Sequence, residues 1–366
     1  MTSLHIIDAG FLTTVQDLGR PRGEPLGLPA GGAMDRVALM AANALVGNPL
    51  SAAALEFALA GPSFVVGDNP ELPGGVRRDP ACGVLLAVAG RGFALKVGGR
   101  SVPLWMAAWA RCGETVTLRS TGSGGWGYLA IAGPAGPGGM RRGGIDVPEI
   151  LGSCSTCLRG QFGGFQGRPL QPGDALPLAG APAESYELAG RELPEDLRPN
   201  YSEHPVLDVV LGPQDSAFTP AAIDAFLSSE YALTPACDRM GYRLRGGAET
   251  QYLASLRTGG GGAETHPDHP IGAGNLASLR LDRPELLSEG VAFGAVQLPP
   301  DGQPIVLMAD RQTTGGYPKI ATVTSASLPL LAQCPPGEGK VRFRAVSVEE
   351  AQARWREILR GLESLA

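Results

Sequence analysis

Histidine is scarce in this chain, with four in 366 residues, and a metal centre built on imidazole therefore has little to draw on. His266 and His269 stand around Asp268 in "ETHPDHP", inside a Gly/Pro-rich stretch that reads as a solvated loop. Six cysteines in a chain of this length do not make a disulfide scaffold. Cys154 and Cys157 form a C-x-x-C without the second pair of a zinc ribbon or the strand and helix of a redox site, and read as a chance spacing. Basic residues are also short: 30 Lys and Arg against 36 Asp and Glu give a formal net charge of −6. That balance excludes nucleic acid as a partner, because phosphate neutralisation needs clustered cations. No apolar run approaches the roughly 18 residues of a membrane span, and "MTSLHIIDAGF" has no basic start leading into an apolar segment. The expectation is a soluble, cytoplasmic protein without a membrane partner. There is no G-x-x-x-x-G-K-[ST] phosphate loop and no G-x-S-x-G elbow; "GSGGWG" (Gly122–Gly127) reads as a hairpin turn.

What is plentiful is glycine, 53 residues, and proline, 32, so ordered stretches are short. Most read as strands: Val84–Gly90, Phe93–Val97, Thr115–Ser120, Gly127–Gly133, Val206–Gly212, Pro304–Asp310 and Val341–Val346. In the last, Val341, Phe343 and Ala345 alternate with Arg342 and Arg344, the period of a sheet with one wet face. "VGGR" (Val97–Arg100) supplies a two-glycine hairpin turn. Helices are few. Asp35 caps a stripe of Val37, Met40, Ala41, Ala44 and Leu45 that Gly47 stops. Thr219–Pro220 opens a second helix, and Ser347 with Glu350 forms a capping box before Val348, Ala351, Trp355, Ile358, Leu359 and Leu362. Many short strands with isolated helices predict a mainly β protein of barrels or sandwiches.

The chain exceeds the roughly 250–300 residues at which one core stops growing, so two domains are expected. "AGRELPEDLRPNYSEHP" (Ala189–Pro205) reads as the linker, giving domains at 1–195 and 196–366. "PAGPGGMRRG" (Pro134–Gly143) interrupts a strand-like path. "GGAET" occurs at Gly246–Thr250 and again at Gly261–Thr265, and "LASLR" at Leu253–Arg257 and Leu276–Arg280. This local duplication reads as an inserted flexible loop near 258–280.

Three segments gather charge beside glycine: "TTVQDLGRPRG" with Asp17 and Arg20, "ACDRMGYRLRG" with Arg239 and Arg243, and "LMADRQTTGGYPKIATV" with Asp310, Arg311, Gln312 and Lys319. Each combines an acid, a guanidinium fork and a glycine that lets a backbone or ligand approach. Gly315–Gly316 would suit an anion nest, and Gln312 both donates and accepts, as an amide ligand requires. A single Asp–Arg pair is more often structural; three in one apolar chain point to a pocket for a small polar ligand.

At these segments the chain resembles the KipA-like family, also called allophanate hydrolase subunit 2 or biotin-dependent carboxyltransferase-like, to which the C subunit of 5-oxoprolinase belongs. The resemblance rests on "GFLTTVQDLGR", "GGAMDRVALMAANALVGN", "GGIDVPEILGSCST", "LGPQDSAF", "DRMGYRLRG" and "DGQPIVLMADRQTTGGYPKIATV". It implies two tandem cyclophilin-like β-barrel domains and one of three roles. The leading role is a component of an ATP-dependent 5-oxoprolinase that opens 5-oxo-L-proline to L-glutamate, together with a KipI-like B subunit and a LamB/YcsF-like A subunit. The alternatives are a urea-carboxylase-like carboxyltransferase using biotin, or a KipA-type regulatory partner of a kinase inhibitor. Their ligands share a planar N–C=O group, which needs donors at oxygen and an acceptor at N–H.

On that reading Asp310, Arg311 and Lys319 are the catalytic candidates. Asp17, Arg20, Asp35, Glu56, Arg239, Arg243, Gln312, Thr313, Thr314, Gly315, Gly316 and Tyr317 are the substrate-binding ones, and no metal is expected. The sequence departs from the family pattern at Cys154, where Arg is usual, at Ser327, where Asp is usual, and in the insertion after Arg257.

Overall fold

The computed structural model describes residues 2–67, 82–122, 125–135, 141–180, 183–246 and 287–365. The duplicated "GGAET"/"LASLR" stretch beyond Gly246 and the His266/His269 pair lie outside them. The chain divides into two compact units: Met1–Ser202 with Pro329–Pro335 and Ala353–Ala366, and Glu203–Leu328 with Pro336–Gln352. The stretch read as a linker contains the boundary between the units and is half exposed, but it is anchored at Leu193. Leu193 is fully buried, its N–H bonds Trp105 O at 2.9 Å, and Arg198 donates to Leu193 O.

The first unit contains β1 (Ser3–Asp8), β2 (Phe11–Gln16), β3 (Ala54–Ala58), β4 (Ser63–Gly67), β5 (Gly83–Gly90), β6 (Phe93–Val97), β7 (Arg100–Val102), β8 (Ala107–Arg111), β9 (Thr115–Ser120), β10 (Trp126–Ala135), β11 (Arg141–Gly143) and β12 (Ala175–Pro177). They form one sheet in the order β12-β1-β4-β9-β6-β7 and a second in the order β2-β3-β10-β5-β8, with β11 beside β10. Leu4, Val66, Leu86, Val88, Phe57, Phe93 and Leu129 belong to one apolar core, in which Phe57 and Phe93 meet edge-to-face at 4.8 Å. Gly98 and Gly99, with φ of 54° and 81°, make the β6–β7 turn in the left-handed region, the two-glycine hairpin expected there. Of the Pro134–Gly143 stretch, the two ends belong to the antiparallel pair β10 and β11, and residues 136–140 lie outside the described residues.

Helix α1 (Arg36–Leu45) starts where Asp35 accepts from Ala38 N at 2.9 Å. Its apolar character is not confined to one stripe. Every residue from Val37 to Leu45 is buried, as a helix of small apolar side chains permits. Asn43 and Asn48 then fasten its end: Asn48 bonds Asn43, Ile131 O and Gly133 N.

Six cysteines do yield one disulfide. Cys82 and Cys112 directly follow the β5–β8 pair Gly83↔Arg111 outward and are joined across a Cα–Cα distance of 5.4 Å. Cross-strand neighbours pair through sheet register, which spacing along the chain does not reveal.

The second unit is a closed barrel of β13 (Val206–Leu211), β14 (Glu230–Leu233), β15 (Gly241–Gly246), β17 (Ala295–Gln297), β18 (Ile305–Leu307), β20 (Lys319–Val323) and β21 (Lys340–Ala345). The closing order is β13-β20-β17-β18-β15-β14-β21, with a separate pair of β16 (Glu289–Gly290) and β19 (Thr314–Gly315). Helix α2 (Pro220–Ser228) is capped by Thr219, and its Phe226 stacks on Phe343 at 4.6 Å. Most of a short helix α3 (Leu328–Ala332) and of α4 (Val348–Glu363) returns to the first unit; α4 opens on the expected Ser347/Glu350 capping box. Along β15, buried Tyr242 and Leu244 alternate with exposed Arg243 and Arg245, so the arginines stand on the face away from the barrel core.

Candidate functional site

The sequence-predicted residues fall into two groups, one in each unit. In the first unit they are enclosed by protein. The Asp17 carboxylate accepts from Gly19 N at 2.7 Å, Ser153 Oγ at 2.7 Å, Ser155 Oγ at 2.5 Å and Cys154 N at 2.6 Å. Arg20 is fully buried. It donates to Ser155 O and, at 3.4 Å, to Ile150 O, and its guanidinium lies 5.0 Å from the centre of the Phe162 ring. The "GSCST" segment thus wraps the "QDLGR" turn. The glycine there admits backbone rather than ligand: a Cβ on Gly19 would stand 2.7 Å from Gly31 O. Cys154, in place of the usual cation, is half-buried, and burial followed by the Asp17 charge pushes its thiol up to about 11.

Asp35 and Glu56 meet through Tyr128. Its hydroxyl donates to Glu56 Oε2 at 2.7 Å and accepts from Asp35 N at 2.7 Å, while Met34 N also donates to Glu56, at 2.9 Å. Asp35 further accepts from Tyr201 Oη at 2.5 Å and Gln333 Nε2 at 2.9 Å. Burial raises the Asp35 carboxyl above its ordinary value, and burial with the Glu56 and Asp35 charges raises the Tyr128 hydroxyl further still. Asp17, Arg20, Asp35 and Glu56 line neither the cavity described below nor the one beside β7 and β8.

The second unit differs. A cavity of about 930 Å³ opens against the barrel, and Arg243, Gln312 and Tyr317 are among its lining residues, together with Asp238, Arg245 and Gln297. Register explains the grouping. Arg243 lies opposite Ile305, Ile305 opposite Gln297, and Gln297 opposite Lys319, so four strands set these side chains in one row. A bulge leaves Ile320 without a partner in the β17–β20 ladder and turns the local strand.

Around this row the remaining candidates make protein contacts. Arg239 donates from Nε and Nη2 to both oxygens of Asp310, at 2.8 and 2.9 Å, a buried fork-to-carboxylate pair. Arg311 Nε donates to Val291 O at 3.0 Å, and its guanidinium lies 5.8 Å from the Phe293 ring centre. Lys319 is 3% exposed and pairs with Glu289 at 3.2 Å. Thr313 O accepts from Val291 N. Thr314 and Gly315 pair with Gly290 and Glu289 as extended backbone, so Gly315 forms strand and not the concave nest expected of "GG". Gly316 is exposed. Asp310, Arg311 and Lys319 are therefore beside the cavity's elements but not in its wall.

Gln297, Arg245 and Glu289 carry this geometry and were not among the candidates. The one trace in the sequence is a glutamine closing the apolar run "VAFGAVQ"; Glu289 follows the insertion, where pattern offers no guide. No helix among the described residues is long and apolar enough to cross a membrane.

Comparison with known proteins agrees with this architecture. The family described as "Carboxyltransferase domain, subdomain A and B" matches residues 26–345. The chain is 35% identical to the C subunit of 5-oxoprolinase from Escherichia coli, over 99% of this chain and 97% of that protein. It is 33% identical to its namesake in Haemophilus influenzae, over 95% and 93%. Urea amidolyase of Saccharomyces cerevisiae matches at 28% identity over 96% of this chain but only 17% of its own length. Among solved structures, TTHA0988 aligns with a TM-score of 0.70 at 31% identity, over 94% of this chain and 56% of that one. The K. lactis urea amidolyase aligns with a TM-score of 0.77 at 23% identity, over the whole of this chain and 20% of that one. The chain thus spans only part of each of these two structures. Its strand-rich, barrel-containing fold is that of the cyclophilin-like carboxyltransferase domains, and the chain belongs to the carboxyltransferase-domain family that includes the C subunit of 5-oxoprolinase.

Proposed function

We propose that this chain is the C subunit of an ATP-dependent 5-oxoprolinase, a component of a complex that opens 5-oxo-L-proline to L-glutamate. The observation that carries the reading is reciprocal length: relatives named for this role match end to end, 97% of one and 93% of the other. Matches to urea amidolyase cover a small part of much longer chains. A five-membered lactam is held planar by amide resonance, so opening it is hard without activation. ATP bound on this or another component supplies that activation. Membership of such a complex implies partners, which we identify as a KipI-like B subunit and a LamB/YcsF-like A subunit, working in the cytoplasm. On this reading the second unit's cavity receives substrate, with Arg243, Gln312 and Tyr317 at its wall. Asp310, Arg311 and Lys319 are positioning residues that hold the surrounding loops.

The family description and the urea amidolyase relatives favour one second reading: carboxyl transfer from biotin to an amide-like acceptor. The two separate in a single assay. Purified partner subunits, ATP and 5-oxo-L-proline are incubated with and without this chain, and glutamate is measured. Release that depends on the chain supports the 5-oxoprolinase reading. Release unchanged by omission excludes it.

A further inference from the structure

Among the described residues of the second unit, the buried side-chain amide of Gln297 is a donor without a hydrogen-bond partner. Gln297 is 2% exposed, lines the cavity, and its Nε2 makes no hydrogen bond. Its orientation is set from the other side, because Gln312 Nε2 donates to Gln297 Oε1 at 3.3 Å. A buried amide N–H left unpaired is costly, and such an atom calls for an explanation, a bound ligand among them. Gly315 is where this donor finds room: a Cβ there would stand 2.5 Å from Gln297 Nε2. Among the described residues the Gln312 side-chain amide, half-buried, makes that one bond, and its own Oε1 is an acceptor available to a ligand.

We propose that Gln297 and Gln312 form a two-point reader for a cis-amide edge, the adjacent C=O and N–H that a lactam or cyclic urea presents, with Arg243 and Arg245 taking a carboxylate on the same molecule. Gln297 Nε2 donates to the ligand carbonyl and Gln312 Oε1 accepts its N–H, Gln312 pivoting to admit the ligand. Two inter-strand steps, across β18, separate Gln297 from Arg243, roughly 10 Å at the usual spacing. The long arginine side chain shortens that span, and the guanidinium fork matches a carboxylate. Neither arginine enters a salt bridge among the described residues, and both line the cavity. The inference rests on the 5-oxoprolinase reading for its ligand, 5-oxo-L-proline, which carries both groups on one ring.

The test is calorimetric titration of the full chain with 5-oxo-L-proline, 2-pyrrolidinone (lactam without carboxylate) and L-proline (carboxylate without lactam). Binding in the order 5-oxo-L-proline, then 2-pyrrolidinone, with L-proline silent, is expected. Gln297→Glu keeps the acceptor for Gln312 while removing the donor, and should weaken 5-oxo-L-proline by on the order of tenfold or more. Gln297→Leu, checked by thermal melting for a retained fold, should do the same. Arg243→Ala should weaken 5-oxo-L-proline and leave 2-pyrrolidinone unchanged. A wild-type chain that does not bind 5-oxo-L-proline, or a Gln297→Glu chain that binds it as well, overturns the reader. Chain-dependent glutamate release alongside either result leaves the 5-oxoprolinase reading standing while removing this site. Binding in the expected order without chain-dependent release does the reverse.

Discussion

The two units close their buried charges with different partners, and the second also sets polar side chains around a hollow. In the first, Asp17, Arg20, Asp35 and Glu56 are closed off, and each carboxylate is met by backbone N–H groups and hydroxyls of the same unit. In the second, the fork pair Arg239–Asp310 and the pair Lys319–Glu289 hold loops, while Arg243, Arg245, Gln297 and Gln312 line an open cavity. An acid, a guanidinium and a glycine in a short segment therefore have two meanings. They fasten a turn when other backbone supplies the donors, and they build a site when the sheet register sets their neighbours around a hollow.

The sharpest way to break this contrast is to remove one closed charge from each unit. Arg239→Ala strands the Asp310 carboxylate and should cost about 3–5 kcal/mol of stability, read by chemical denaturation. Asp17→Ala deprives four donors of their acceptor and should cost about 3 kcal/mol. Reducing the Cys82–Cys112 bridge, which closes a loop with a sequence separation of 30, should cost about 3–4 kcal/mol. With the bridge intact, under denaturing but non-reducing conditions, four of the six cysteines should alkylate. Arg243→Ala, by contrast, should leave stability within about 0.5 kcal/mol, since its side chain is exposed. A large loss there would make the cavity wall as structural as the first unit.

The smallest effect concerns pH. Burial raises Asp35, so the folded state holds that proton more tightly than the unfolded chain does. Its contribution to stability is therefore fully present below the ordinary carboxylate value and is lost as pH rises through the raised one. Asp35→Asn should flatten that part of the stability-against-pH curve; an unchanged curve would mean that the Asp35 carboxyl does not titrate differently in the folded protein.

How far the sequence carried follows the range of the interaction. Local signals were legible. Asp35, Thr219 and the Ser347/Glu350 box cap the helices they precede, and the two glycines of "VGGR" make their turn. The alternation in Lys340–Ala345 and the mainly β architecture are likewise as expected. Cross-strand information was not legible. The row Arg243–Ile305–Gln297–Lys319 joins residues from four strands, and the same holds for the disulfide. The return of Pro329–Pro335 to the first unit, which brings Gln333 to Asp35, is equally remote along the chain. The polar triads were found by pattern, but whether each faces protein or cavity depends on register, which a single chain does not print.

The claim on which the rest turns is that this chain is a working part of a lactam-opening complex. Initial rates of ATP-driven conversion, followed as the chain is titrated back into a depleted mixture of its partners, test it directly. A rate that climbs from background and saturates at a fixed stoichiometry is the expected result. A rate that stays flat through the titration, with well-folded protein added, would contradict it.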